Sequence, residues 1–126
     1  MAEGAMIETP AVALDVRSLS KLADFLCVGT NDLTQYVMAA DRESALISDY
    51  FRDDHPIMLN LLSTIIADAG KTPVTLCGEL AVKRESLDAV MGTGVNSISI
   101  APASIPEIKD IIRRVKLPSE KKNNRK

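Results

Sequence analysis

Four short stretches carry the residue types from which a reactive site could be built. They are Glu8 in MIETP, Asn31 and Asp32 in GTND, Arg42 in ADR, and Cys77 in LCGEL. Two carboxylates together with a substrate phosphate are what Mg²⁺ commonly takes, because the ion prefers hard oxygen ligands and retains waters. Asn31 could donate a hydrogen bond to an anion, and Arg42 could hold phosphate or carboxylate with two parallel N–H bonds. The Cys77 thiol could move a proton if its pKa were tuned. Each residue also has a plainer reading. Glu8 and Asp32 could simply favour helix N-termini through the macrodipole. Asn31 could make an Asx turn, and Arg42 a surface pair with Asp41 or Glu43. Glu79 could tune the neighbouring thiol or cap the loop that follows it.

The elements that must position these residues are legible as a repeating unit. Four short apolar runs, Ala5 to Ile7, Phe25 to Val28, Val74 to Leu76 and Ser97 to Ile100, read as strands. Their lack of polar alternation suits parallel strands covered on both faces. Helical stretches lie between them. One spans about Pro10 to Leu22 with proline in its first turn, one Pro56 to Ala69 closed by Gly70, and one Arg84 to Met91. A shorter segment of two or three turns separates Asp32 from Arg42. The last helix begins at SIPE, where Ser104 and Glu107 have capping-box spacing, and continues with isoleucines at helical intervals. Glu8, Asn31–Asp32 and Cys77 then fall at the carboxyl ends of three successive parallel strands, where α/β folds keep their chemistry. Cys27, inside its run, reads as a packed small hydrophobe, and His55 in DDHP as a residue at a helix start.

Totals narrow the function classes. The chain has 126 residues, 46% of them hydrophobic, and a net charge of −2, so it is one domain with no global sign of nucleic-acid binding. No apolar stretch approaches the ~18 residues of a membrane helix, and no signal peptide is evident. Two cysteines without metal-type spacing point to a reducing cytoplasm. The absence of tryptophan makes the core aliphatic, and a single histidine limits any mechanism that needs one. Four β–α units with right-handed crossovers give a parallel sheet, either a small open one or half of an eight-stranded barrel.

GTNDLTQY followed by ADR, with MIETP upstream and CGELA downstream, resembles the phosphoenolpyruvate-utilising enzymes, and among them enzyme I of the bacterial phosphotransferase system. The resemblance covers about Met6 to Lys116. It implies an α/β fold made of the last four β–α units of a (β/α)₈ TIM barrel, a half barrel over residues 1–117; the basic, polar composition of 118–126 reads as a disordered tail. It implies Glu8 and Asp32 as Mg²⁺ ligands and Asn31 and Arg42 as contacts to the phosphate of phosphoenolpyruvate. Cys77 matches the acid–base group that exchanges a proton with C3 of the pyruvate enolate. The parent reaction passes the phosphoryl group to a histidine and feeds sugar uptake or regulation. Pyruvate phosphate dikinase and phosphoenolpyruvate synthase share these motifs. A non-catalytic half barrel that binds or assembles is the reading from another class.

The resemblance also sets expectations about what is missing. The phosphohistidine domain, the domain that docks the phosphocarrier protein and the first half of the barrel with two further arginines have no counterpart, so the isolated chain is expected to be inactive. A phosphocarrier partner is expected only for a full-length parent. After CGELA the family continues Gly-Asp, whereas this chain has Val82 and Lys83. A half barrel would expose two sheet edges and an apolar inner face, so the chain is expected to pair with a missing half or a second copy of itself.

Overall fold

In the computed structural model, residues 1–116 are described; the basic tail expected over 118–126 lies outside them. Four strands form one parallel sheet in the order β1-β2-β3-β4: β1 (Gly4–Ile7), β2 (Phe25–Gly29), β3 (Val74–Cys77) and β4 (Ser97–Ile98). Each matches one of the apolar runs. β4 is shorter than its run, although Ser99 N–H still donates to Leu76 C=O at 2.8 Å. Helices α1 (Pro10–Leu14), α2 (Val16–Leu19), α3 (Thr30–Met38), α4 (Pro56–Ala69), α5 (Leu87–Gly92) and α6 (Ile105–Arg114) complete the β–α alternation. The chain is therefore α/β, a four-stranded parallel sheet with covering helices.

The helices cover one face of the sheet. Ile7, Leu26, Val28, Val74 and Leu76 point to that face and pack with Val16, Leu33, Met58, Leu62 and Ile65 in an aliphatic core. Burying each such side chain contributes on the order of 1.5–3 kcal/mol. The other face is left uncovered by the described residues, and it is more polar than the apolar inner face expected. Met6 lies opposite Cys27, Cys27 opposite Thr75, and Thr75 opposite Ser97. Met6 and Phe25 are exposed apolar groups there, but the Thr75 and Ser97 hydroxyls hydrogen-bond each other at 2.7 Å. An unalternated run conceals this because small and hydroxylated residues fill the second face. The same geometry corrects Cys27. It is half-buried on the open face, not packed in the core.

Three helix starts show how local chemistry acts. The stretch read as one helix from Pro10 to Leu22 is two, broken at Asp15, whose φ of −117° and ψ of 30° leave the helical region. His55 does open α4, its Nδ1 accepting from Ile57 N–H at 3.2 Å. Ser104 makes no capping box. A 3-10 turn over Pro102–Ser104 already holds its backbone helical, so its hydroxyl has no cap geometry, and Glu107 instead pairs with Arg84.

Candidate functional site

Strand register brings the polar residues at the strand ends to one place. Glu8 follows β1 directly, Asn31 and Asp32 lie in the first turn of α3 just past β2, and Cys77 ends β3. A cleft of about 260 Å³ is lined by Glu8, Asn31, Asp32 and Cys77, with Met6, Thr30 and the backbone of Gly29 and Gly78. Glycine at position 29 permits this closeness. A Cβ there would stand 3.3 Å from the Glu8 Cβ and 3.4 Å from its Oε2.

The β3 end is held to α3 by a short network. The Thr30 hydroxyl, fully buried, donates to the Cys77 carbonyl at 2.8 Å, and the Glu79 N–H donates to Asn31 Oδ1 at 3.1 Å. Asn31 therefore spends its acceptor across the sheet and not in a local Asx turn, which leaves its NH₂ as the half that can address a ligand. Gly78 turns the chain between these bonds with φ 102° and ψ −176°, a region essentially restricted to glycine. Neither Thr30 nor Gly78 stood out as a site residue from sequence. Their signals were the threonine of GTND and the glycine after the thiol.

The Cys77 Sγ–H donates to Val28 C=O at 3.2 Å. Burial, then the nearby Cys27 thiol and the Glu8 carboxylate, push its pKa above the ordinary thiol value. All three disfavour the thiolate, so at neutral pH Cys77 carries a proton. Glu79, the sequence-adjacent carboxylate, does not contribute to that shift; the neighbours across the sheet do. Arg42 is not part of the cleft lining. It pairs at 3.7 Å with Glu79, in place of the Asp41 or Glu43 partners considered from sequence, and neither Arg42 nor Glu79 lines the cleft.

The Val82-Lys83 departure has a structural counterpart. Lys83 Nζ lies 2.6 Å from Asp53 Oδ1 and 3.4 Å from Asp54 Oδ2, fastening the segment after Cys77 to the loop before α4. Partial burial works to lower the Lys83 pKa, but the hydrogen bond and charge of Asp53, then those of Asp54, outweigh it and hold the ammonium above its ordinary value.

Glu8 and Asp32 are the two residues of the cleft that could serve a hard divalent cation as ligands. Both carboxylates line the cleft, and among the described residues no group of three or more His, Cys, Asp or Glu is placed to hold a metal ion by itself. Such an ion would complete its shell from water and ligand oxygens, as Mg²⁺ does.

Sequence comparison decides the family. Residues 1–117 match the family described as "PEP-utilising enzyme, PEP-binding domain". The chain belongs to the phosphoenolpyruvate-utilising enzyme family. Among its relatives, the phosphoenolpyruvate-protein phosphotransferase of Buchnera aphidicola subsp. Acyrthosiphon pisum is 42% identical over 122 residues, 94% of this chain and 21% of the relative. That of Haemophilus influenzae is 38% identical over 121 residues, again 94% and 21%. A probable phosphoenolpyruvate synthase from Methanocaldococcus jannaschii is 36% identical over 114 residues, 88% of this chain and 10% of the relative. The chain thus spans about a fifth of the phosphotransferases it matches. The Glu8, Asn31, Asp32 and Cys77 cleft lies within the residues matched to that family. Among the described residues no helix is long and apolar enough to cross a membrane.

Proposed function

We propose that this chain forms the second half of a phosphoenolpyruvate-binding (β/α)₈ barrel, working in phosphoryl transfer from phosphoenolpyruvate to a protein histidine. The observation that carries the reading is the convergence of Glu8, Asn31, Asp32 and Cys77 on one cleft at the carboxyl ends of three parallel strands. Glu8 and Asp32 would hold Mg²⁺, which when bound neutralises charge on the phosphoryl oxygens. The Asn31 NH₂ and the first turn of α3 face the same cleft and favour an anion. Arg42 adds a phosphate contact once it exchanges Glu79 for the ligand. In the transfer, the bond from phosphorus to the bridging oxygen breaks and a bond to the acceptor nitrogen forms. The enolate left behind takes a proton at C3 from the Cys77 thiol, which its raised pKa keeps protonated. The acceptor histidine and any phosphocarrier protein belong to a longer parent. The two free thiols favour a cytoplasmic setting.

The relative named as a probable phosphoenolpyruvate synthase supports a second parent, with the same cleft and a different acceptor. Calorimetric titration of the chain with phosphoenolpyruvate, with and without Mg²⁺, tests the binding reading. Heat that requires Mg²⁺ and is lost in Asp32→Ala supports it. Equal heat with and without the ion, or no heat at all, refutes it for this chain.

A further inference from the structure

Three sulfur side chains border one gap on the open face of the sheet, and the proposed reaction uses only one of them. Cys77 stands opposite Gly29 in the β2–β3 register, and Cys27 lies two residues before Gly29, so both thiols project from the same face. Both are free and half-buried. Met6 stands opposite Cys27 in the β1–β2 register. Gly29 leaves a gap where a side chain would be, and Met6 Sδ lies 3.4 Å from the Cβ position that glycine lacks. The Cys77 Sγ reaches the same stretch of β2, donating to Val28 C=O at 3.2 Å. Met6 lines the cleft together with Cys77, and a second hollow of about 190 Å³ together with Cys27. The Cys27 thiol also lies near enough to Cys77 to help raise its pKa.

We propose that Met6, Cys27 and Cys77 together bind a monovalent copper ion. Thiolate and thioether sulfurs are soft donors that favour Cu(I), whereas Mg²⁺ takes hard oxygen ligands. His55, the single histidine, opens α4 and lines neither hollow, so sulfur is the donor that the site offers. Zinc is the poorer match, because its structural sites use four ligands from cysteine and histidine and not a thioether. Binding forms a copper bond to each sulfur, and the two thiol protons leave to solvent. A copper ion held on the Cys77 sulfur removes that thiol from proton transfer. The site goes beyond the phosphoenolpyruvate reading and does not depend on it, since Asn31, Asp32 and Arg42 take no part.

The test is anaerobic titration of the full chain with Cu(I) against bathocuproine disulfonate as competing chelator. Wild type is compared with Met6→Leu, Cys27→Ser and Cys77→Ser, and circular dichroism checks that each variant keeps the fold. The expected result is one Cu(I) held per wild-type chain. Losing an outer-shell partner already costs a metal site about 10–100-fold, so either serine variant should weaken binding by ~100-fold or more and Met6→Leu by ~10-fold. X-ray absorption of the copper-loaded wild type should show three sulfur neighbours. With the chelator present, one equivalent of Cu(I) should halt Cys77 alkylation by iodoacetamide in the wild type and not in Cys27→Ser. No copper held against the chelator overturns the proposal. So does binding indifferent to Met6→Leu or to either serine variant, nitrogen or oxygen in the copper shell, or Cys77 alkylation unchanged by copper.

Discussion

Gly78 is the position at which backbone, packing and site chemistry meet, and Gly78→Ala separates their contributions. Its φ of 102° with ψ of −176° is nearly closed to any residue with a Cβ, at a cost of about 1–3 kcal/mol. A Cβ there would also overlap the Thr30 hydroxyl, which donates to the Cys77 carbonyl. Displacing that hydroxyl forfeits a buried hydrogen bond worth about 0.5–1.5 kcal/mol. Alanine restricts the unfolded chain and returns about 0.4–1 kcal/mol. The net loss is therefore roughly 2–3 kcal/mol. With a urea m-value of ~1.5 kcal/mol/M, the midpoint should fall by about 1.3–2 M. Urea unfolding followed by circular dichroism at fixed protein concentration measures it. In a Thr30→Ala background the overlap and the bond are already gone, so the same substitution should cost about 1 kcal/mol less. A midpoint shift under ~0.3 M, or an equal cost in both backgrounds, would refute this account of the β3–α3 junction.

Three further substitutions have outcomes that follow from the structure. Thr34 is fully buried in α3 with no hydrogen-bond partner for its hydroxyl among the described residues, so Thr34→Val should raise unfolding free energy by about 1 kcal/mol. Lys83→Met strands the nearly buried Asp53 carboxylate and should cost about 1–2 kcal/mol, below the 3–5 of a fully buried pair because a third of Lys83 is exposed. Since the folded Lys83 pKa lies above its unfolded value, this stabilisation is complete below about pH 10 and is lost as pH rises through the folded value; in Lys83→Met that alkaline loss should disappear. Glu8→Gln removes one of the influences that raise the Cys77 pKa, so the pH profile of Cys77 alkylation by iodoacetamide should move toward lower pH; an unchanged profile would show that the carboxylate does not reach the thiol.

What the sequence disclosed follows from what kind of interaction sets each feature. The four strands were legible because runs such as FLCV and VTL announce burial by themselves. The strand-end positions of Glu8, Asn31–Asp32 and Cys77 followed from those runs. The orientation of each strand did not, because an unalternated run carries no mark of its buried face; hence Cys27 was misplaced. The break at Asp15 is invisible in an apolar pattern that continues across it. The capping box failed because the preceding turn had already committed the backbone at Ser104. Contacts between residues far apart in the chain, such as Arg42 with Glu79 and Lys83 with Asp53, have no local signature at all.

If the proposed function is right, phosphoenolpyruvate and Mg²⁺ occupy the cleft that Glu8, Asp32 and Cys77 share. The most direct measurement is the rate of Cys77 alkylation, followed by mass spectrometry in a Cys27→Ser background, with phosphoenolpyruvate and Mg²⁺ added separately and together. The two together should slow alkylation severalfold, neither alone should do so, and Asp32→Ala should abolish the protection. An alkylation rate indifferent to the combined ligands, with the fold intact, would contradict it.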